Sequence, residues 1–565
     1  MQIVTAKQMV KIENESEKLG VSKKQLMQNA GTKLAEVIMD ICHSDNIQTD
    51  DPKIVFLAGS GNNGGDCFVA AERLVYKGYN VSVVNLIGEP TTDISKEAFA
   101  AMPDRVKVIT GYRSENVEAA IEAAELDYMT IQDKDVSSLR AKTELTPVER
   151  ILLREKERMS TVRTAVIGAD ILVDGVFGTG FHGELEDDIK AIFSIGTGAY
   201  KIAADVPSGG NCANGSVSPG IFKADETVCF GCLKTGMTQF PLKKYCGKIT
   251  VADIGIPFMA MSAIEGEKKY IRLDRKQLAG FPRKRERDAH KGTFGTVLII
   301  AGSNNMRGAA AFAVQGALRS GAGIVRLASV EKCVDTVSLL APEATFITLE
   351  SDDNGFMLFD DNKEALTEAI QSADAIVIGC GMGVTPDTLA LTRFVLDNAK
   401  GIVIVDADGI NCIVKDIDIL MNRHTGAQII LTPHPGEMAR LLKSDPATIN
   451  GNRFIAAEKF AENLDVIVVL KGAGTLVAAG KVTAVNHTGN AGMSRGGSGD
   501  ILAGIIGSVA AQGYDPFDAA CAGVYIHGLA GDAAADKFGQ EAMLPSDMIN
   551  CLSDAFRILK EKQRS

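Results

Sequence analysis

Two glycine turns followed by an acid carry the most chemistry in this chain. Gly496, Gly497 and Gly499 precede Asp500, which opens the apolar stretch Ile501–Ala511. Glycine lets backbone approach a ligand closely, and the N–H groups opening the next helix attract an anion such as phosphate. An aspartate there can take a proton from a substrate hydroxyl while the N–H groups stabilise a transferring phosphoryl group. In the first half, KIVFLAGSGNNGGDCFVAAERL reads as a strand, a glycine-rich turn and a helix. Gly59, Gly61 and Gly64 satisfy G-x-G-x-x-G, a weak pattern alone. Asn85 stands where a dinucleotide fold places its ribose-binding acid, and no Lys-Ser/Thr completes a Walker loop.

The elements that must position these residues alternate between buried runs and helices. Lys53–Ala58 and Glu226–Phe230 in the first half, and Ile402–Val405 in the second, read as strands of parallel sheets. NNGGD (Asn62–Asp66), DGVFGTG (Asp174–Gly180), DVPSG (Asp205–Gly209) and CLKTG (Cys232–Gly236) each follow such a strand. Strand ends of a parallel sheet share one edge, where ligands bind. Asn63, Asp174 and Ser208 would converge there as hard oxygen donors suited to a cation. Residues 95–163 interrupt the rhythm and read as a solvated helical excursion.

Composition narrows the class. At roughly 100–200 residues per domain, 565 residues argue against one domain. Hydrophobic residues at 46% and charged residues at 23% exclude a disordered chain or a fibre. A net charge of −12 gives no basic footprint for nucleic acid. The local exception, Arg283 to Arg287, reads as a solvated hinge. No apolar run approaches the ~20 residues a membrane helix needs. The N-terminus lacks a signal-peptide core, and eleven scattered cysteines are unlike a disulfide framework. These features predict a soluble cytoplasmic protein that meets neither membrane nor nucleic acid. Cys229 and Cys232 read as ordinary buried cysteines and His527 as a packed residue. The seven histidines show no zinc-hydrolase spacing.

TAKQM near the N-terminus, LMQNAG at Leu26–Gly31 and the four elements above resemble the NAD(P)H-hydrate epimerase family, the YjeF N-terminal domain. The resemblance covers about residues 1–257, less the excursion. It implies that hydrated NADH or NADPH is held by Asn62, Asn63, Gly64, Gly65 and Asp66, by Asp205, and by the loop Gly178, Thr179, Gly180, Phe181, His182, Gly183 and Glu184. It also implies potassium at Asn63, Asp174 and Ser208. Where the family usually has Arg-Pro, this chain has His182-Gly183-Glu184. Loss and return of the ring hydroxyl through a planar cation would invert the carbon. Asp205 is the candidate to stabilise that cation, and Lys234 to assist departure.

GGSGD resembles the G-x-G-D site of ribokinase-like small-molecule kinases. With Ala289–Ala310, GCGMG (Gly379–Gly383), VDADGIN (Val405–Asn411), LTPHPGEMARL (Leu431–Leu441) and LKGAGTLV (Leu470–Val477), it resembles ADP- or ATP-dependent NAD(P)H-hydrate dehydratases over about residues 275–560. The resemblance implies that Ala309, Gly381, His434 and Asp500 contact the hydrate. Lys471, Gly472, Ala473, Gly474, Thr475 and Gly499 would hold the adenine nucleotide, with Mg2+. Asp406 and Asp408 are open to either helix capping or a polar contact. Met306 stands where the family often has tyrosine.

The expectation is an α/β chain of two domains that assembles as a homo-oligomer. Residues 1–260 form a Rossmann-like epimerase domain, 261–280 a linker and 281–565 a ribokinase-like dehydratase domain. ADP and ATP stay open as donors. Two rivals are a vitamin-precursor kinase in the second half and a non-catalytic binding module in the first.

Overall fold

The computed structural model describes residues 2–112, 144–421 and 426–561. The chain divides into two compact units, Met1–Gly266 and Glu267–Ser565, each α/β.

The first unit contains β1 (Gln2–Val4), β2 (Lys53–Ala58), β3 (Asn80–Asn85), β4 (Lys107–Thr110), β5 (Ile171–Gly175), β6 (Tyr200–Ala204), β7 (Glu226–Phe230), β8 (Leu233–Lys234) and β9 (Lys248–Ala252). Seven of these form a sheet in the order β4-β3-β2-β5-β6-β7-β9. Every pair in it is parallel. Helices Lys23–Cys42 and Asn62–Tyr76 bury Leu34, Ile38, Phe68 and Leu74 against one face. Val162, Val166, Ile189 and Ile192 from Pro147–Ile167 and Asp187–Phe193 cover the other. The strand order reverses between β2 and β5, so the loops after them splay apart and open a crevice.

Helix ends in this unit separate structural from ligand-facing roles. Thr5, Ser22, Thr92 and Thr146 cap their helices with a side-chain oxygen. The helix Asn62–Tyr76 starts instead from Gly61, with no side-chain cap, so its first N–H groups face the crevice uncovered. The turn leaves no room for a side chain. A Cβ on Gly64 would lie 2.0 Å from the Gly59 carbonyl oxygen, and one on Gly59 would lie 1.9 Å from that of Val176. Gly64→Ala is therefore expected to lower stability by about 1–3 kcal/mol, measured by chemical unfolding. Unchanged stability would show that the turn is not close-packed.

Residues 95–163 differ from their reading as a solvated excursion. They include β4 at the sheet edge and most of Pro147–Ile167, which buries Val162 and Val166 in the core. Glu155 and Arg158 are buried on that helix as an ion pair, with Asp188 as a further partner at 3.1 Å. Charge there is satisfied inside the fold rather than by water. Residues 113–143 of that stretch lie outside the described residues.

The second unit contains β10 (Lys269–Arg272), β11 (Thr296–Ile300), β12 (Ile324–Val330), β13 (Thr345–Leu349), β14 (Ala375–Ile378), β15 (Ile402–Val405), β16 (Gln428–Leu431), β17 (Ile467–Leu470), β18 (Leu476–Ala479) and β19 (Val482–Val485). Their order is β13-β12-β11-β14-β15-β16-β17-β18-β19-β10. β13 through β17 pair in parallel, whereas β18 runs antiparallel to both neighbours. The order reverses between β11 and β14, a second crevice-forming point. Helix Ser498–Ala511 is buried along nearly its whole length. The expected linker 261–280 is partly sheet: β10 pairs in parallel with β19, and Leu273 and Leu278 are buried. Its short apolar run, YIRL, is half of that pairing, which charged neighbours hide in the sequence.

Candidate active sites

In the first unit, a cavity of about 690 Å³ opens at the β2/β5 reversal. Asn62, Asn63, Asp66, Gly178, Thr179, Gly180, Phe181, His182, Glu184, Asp205 and Lys234 line it. Gly64, Gly65 and Gly183 do not. The first two are packed inside the helix start, and Gly183 supplies a turn at φ 88°.

Asp205 follows β6 in a left-handed conformation, φ 62°, which a non-glycine residue adopts at a cost of order 1–3 kcal/mol. Its Oδ1 accepts from the Phe230 N–H at 3.0 Å and from Lys234 Nζ. Lys234 is buried rather than solvent-facing, and also donates to the Phe230 carbonyl at 3.0 Å. Burial disfavours its charge most, but Asp205 with Cys229 and Cys212 together hold the ammonium above its ordinary pKa. Cys229 lies 3.5 Å from Lys234 Nζ, its thiol pushed up to about 12 by burial, and Cys232 is buried beside it. Both are therefore inert packing residues.

Two acids complete this cavity. The β1–β8 pairing, Val4 opposite Lys234, brings helix Ala6–Lys18 to the site, and Glu13 lines the cavity one turn after Met9. Burial and then the charge of Asp205 raise the Glu13 pKa. Asp66 is pushed well above the carboxylate range by burial, then by Asp205 and Glu13. Glu13 escaped the sequence reading, although its i+4 spacing from buried Met9 is a helical signal for that face.

Asn63 lines the cavity while Asp174 and Ser208 are buried outside its lining, and Asn63 and Ser208 meet on the Phe177 carbonyl. Ser208 donates through its backbone N–H (2.7 Å) and its hydroxyl (2.6 Å) to the Asp174 carboxylate. Asn63 Nδ2 donates to the Phe177 carbonyl at 2.9 Å and the Ala204 carbonyl at 3.2 Å. Burial lifts Asp174 to about 7 against these hydrogen bonds, and no lysine or arginine among the described residues pairs with it. A buried carboxyl, a hydroxyl, an amide and two carbonyls form an oxygen-rich set suited to a hard monovalent cation.

In the second unit the motifs after β14 to β17 meet the start of helix Ser498–Ala511. Lys471 Nζ is 2.6 Å from Asp406 Oδ1 and 3.9 Å from Glu437. Thr432 Oγ1 donates to the same Asp406 oxygen at 2.7 Å. Asp406 makes no capping hydrogen bond, so its polar role prevails, while Asp408 accepts from Gly383 N–H at 2.9 Å. A Cβ on Gly499 would lie 3.3 Å from Lys471 Nζ, and one on Gly381 2.8 Å from Ala309. The predicted nucleotide turn, acid turn and hydrate contacts thus adjoin in two pairs. Gly497, φ 103°, starts the helix without a side-chain cap, leaving its N–H groups available to an anion.

Asp500 lies in the first turn of this helix. Burial and then Asp406 raise it to about 7, against a Cys380 hydrogen bond and Lys471. Glu437 also rises to about 7, chiefly from burial. His434 caps helix Pro435–Leu441: its Nδ1 accepts from Gly436 N–H (3.0 Å) and Glu437 N–H (3.3 Å), which assigns the proton to Nε2. Its ring is half exposed, and burial, Lys471 and Arg440 lower its pKa. Gly472 and Gly474 take positive φ in the KGAGT turn, closed by Thr475 Oγ1 on the Gly472 carbonyl at 2.9 Å. His527 is buried as expected, its pKa lowered to about 4 by burial. Cys380 and Glu437 belong to this cluster without having been singled out in the sequence.

A family model described as YjeF-related protein N-terminus matches residues 23–236, and one described as NAD(P)H-hydrate dehydratase matches residues 297–553. A bifunctional NAD(P)H-hydrate repair enzyme of Moorella thermoacetica is 33% identical over 569 aligned residues, spanning 100% of this chain and 98% of that protein. The chain belongs to the bifunctional NAD(P)H-hydrate repair enzyme family. The repair enzyme of Thermofilum pendens is 31% identical, spanning 97% of this chain and 94% of its own. A solved ADP/ATP-dependent NAD(P)H-hydrate dehydratase from Bacillus subtilis, co-crystallised with ATP and Mg2+, is 28% identical. It covers 51% of this chain and 99% of its own, with a TM-score of 0.44. For a repair enzyme, two separate acid-bearing sites on one chain are the expected equipment. Among the described residues no helix is long and apolar enough to cross a membrane.

Proposed function

We propose that residues 1–260 interconvert the R and S forms of hydrated NADH and NADPH, and that residues 281–565 dehydrate the S form at the expense of ADP or ATP. The observation that carries this reading is the pairing of Asp205 with buried Lys234 in one unit and of Asp500 with the uncapped glycine turn in the other. In the first, the ring hydroxyl departs with a proton and water returns to either face. The Asp205 carboxylate stabilises the intervening cation. Lys234 is the candidate acid. Asp66, its pKa raised by burial and its acidic neighbours, stands in the same cavity as a second candidate donor.

In the second unit, Asp500 takes the proton from the ring hydroxyl as its oxygen attacks the terminal phosphoryl group. The helix N–H groups stabilise the transferring charge. The ring nitrogen then expels phosphate and the neighbouring ring carbon loses a proton, restoring the double bond. Phosphate leaves far more readily than hydroxide, which is the reason to consume a nucleotide. Lys471 to Thr475 and Gly499 hold that nucleotide, and Ala309, Gly381 and His434 the hydrate.

Cys380, Asp406 and Asp500 offer ligand atoms within 4.8 Å of one another, the one such group among the described residues. A thiol is a poor ligand for Mg2+ and Lys471 already takes an Asp406 oxygen, so the cluster does not suit a resident hard cation; Mg2+ would be carried in on the nucleotide phosphates, with the Asp406 and Asp500 carboxylates as the hard donors beside it. Each NADH formed should release one orthophosphate. A stable phosphorylated alcohol would overturn this reading in favour of a small-molecule kinase.

Potassium at Asn63, Asp174 and Ser208 would keep Asp174 ionised and brace the loops that carry Phe177 and Asp205. KCl should raise the melting temperature above that in equal LiCl, and Ser208→Ala should remove the difference. An identical melt in both salts would contradict the site. A cytoplasmic location and a homo-oligomer complete the proposal. The small-residue helix Ser498–Ala511 is buried within its own unit, so sedimentation is the test of assembly.

A further inference from the structure

A second cavity, of about 1240 Å³, lies wholly within the second unit. Six cations line it, Arg283, Lys284, Arg285, Arg319, Arg557 and Lys560, and no carboxylate does. That concentration stands out in a chain of net charge −12. The arginines of the expected hinge are part of a built wall. Arg283 lies 4.1 Å over the Tyr514 ring and donates to the carbonyls of Gln512 (3.3 Å) and Gly513 (3.1 Å). Arg285 lies 3.8 Å over Phe294 and donates to the Gly321 carbonyl. Phe281 and Phe556 add an apolar wall, their centroids 6.0 Å apart.

The cavity is remote from the reacting turn. Phe294 and Gly321 precede β11 and β12, whereas Gly381, Asp406 and Lys471 follow their strands. In this parallel sheet those are opposite edges. Gln512 ends the helix whose first turn holds Asp500, about 18 Å away at 1.5 Å per residue.

A guanidinium held flat on a ring is already oriented. Its outer face stacks on a planar base, and its remaining N–H groups and the neighbouring lysines neutralise phosphates. We propose that this cavity is a second nucleotide site, one that takes a nucleoside polyphosphate. Lys284 is paired with Glu286 at 3.3 Å and Arg557 with Asp554 at 2.7 Å, so Arg283, Arg285, Arg319 and Lys560 supply the positive charge that matches several phosphates, and the layered rings and guanidiniums match a base. The inference stands whether or not the assignment of the two reactions holds.

Equilibrium dialysis of the full chain against the imido analogue of ATP tests it, with Arg319→Glu/Lys560→Glu as the variant. Both side chains are exposed, so the fold is expected to survive, as an unchanged melting temperature would show. The variant should bind one equivalent fewer than the parent and keep its dehydratase rate. Equal stoichiometry in the two proteins would overturn the proposal. So would displacement by tripolyphosphate as effective as by the analogue, since no base would then be recognised. A single-stranded oligonucleotide that displaces the analogue from this cavity at lower concentration would make nucleic acid the occupant instead, and would also overturn it.

Discussion

Asp500→Asn is expected to lower nucleotide-dependent dehydration of the S hydrate by about 10²–10⁴-fold, the usual contribution of a positioned general base. Asparagine keeps the shape of the first helical turn and its neighbour contacts, so the loss would report chemistry rather than folding. Epimerisation should continue unchanged, because the other site lies in a different unit. Substantial residual dehydration would refute the base role. The same residue sets a pH dependence. A base must be ionised to work, and burial with Asp406 puts Asp500 near 7. The rate at low substrate should therefore fall about tenfold per pH unit as pH drops below that value, and level off above it. A rate flat between pH 5 and 8 would remove Asp500 from the reaction.

Asp205→Ala is expected to abolish interconversion of the R and S hydrates while dehydration of added S hydrate persists. It should also destabilise the first unit. Lys234 is 1% exposed, and removing one partner of a buried pair typically costs about 3–5 kcal/mol because the other charge is stranded. The two effects can be separated. Asp205→Asn/Lys234→Met removes both charges and should recover much of the stability without recovering epimerisation. Unchanged interconversion in Asp205→Ala would sink the assignment. Recovery of epimerisation in the double variant would show that the carboxylate had served only to neutralise the lysine.

The parts of this molecule legible in sequence share a physical cause. β2, β7 and β15 fall within their predicted bounds because each is a short apolar run whose ends are marked by turns or charge. The glycine turns were visible because close backbone approach excludes any other residue, as the Cβ distances at Gly59 and Gly64 show. β4 was hidden because it is an edge strand with three of its four residues exposed, and leaves almost no apolar pattern.

Pro147–Ile167 looked solvated because its charges are conspicuous. Yet Arg158 finds Glu155 and Asp188 inside the fold, and partners on other elements cannot be counted from one helix. The burial of Lys234 and its pairing were not legible, since its partner Asp205 lies 29 residues away and the pairing depends on β7 folding between them. The Asp406–Lys471 pair spans 65 residues and joins two motifs that the sequence had assigned separate roles. Local chemistry was therefore readable, while the couplings that tune it needed the sheet order.

The most direct test of the account is recovery of the reduced-nicotinamide absorbance from a mixture of R and S hydrated NADH, with ADP or ATP supplied. The account predicts complete recovery with one of the nucleotides, both epimers being consumed by one chain. Recovery that stops at the S fraction would contradict the epimerase assignment of the first unit, and no recovery with either nucleotide would contradict the dehydratase assignment of the second.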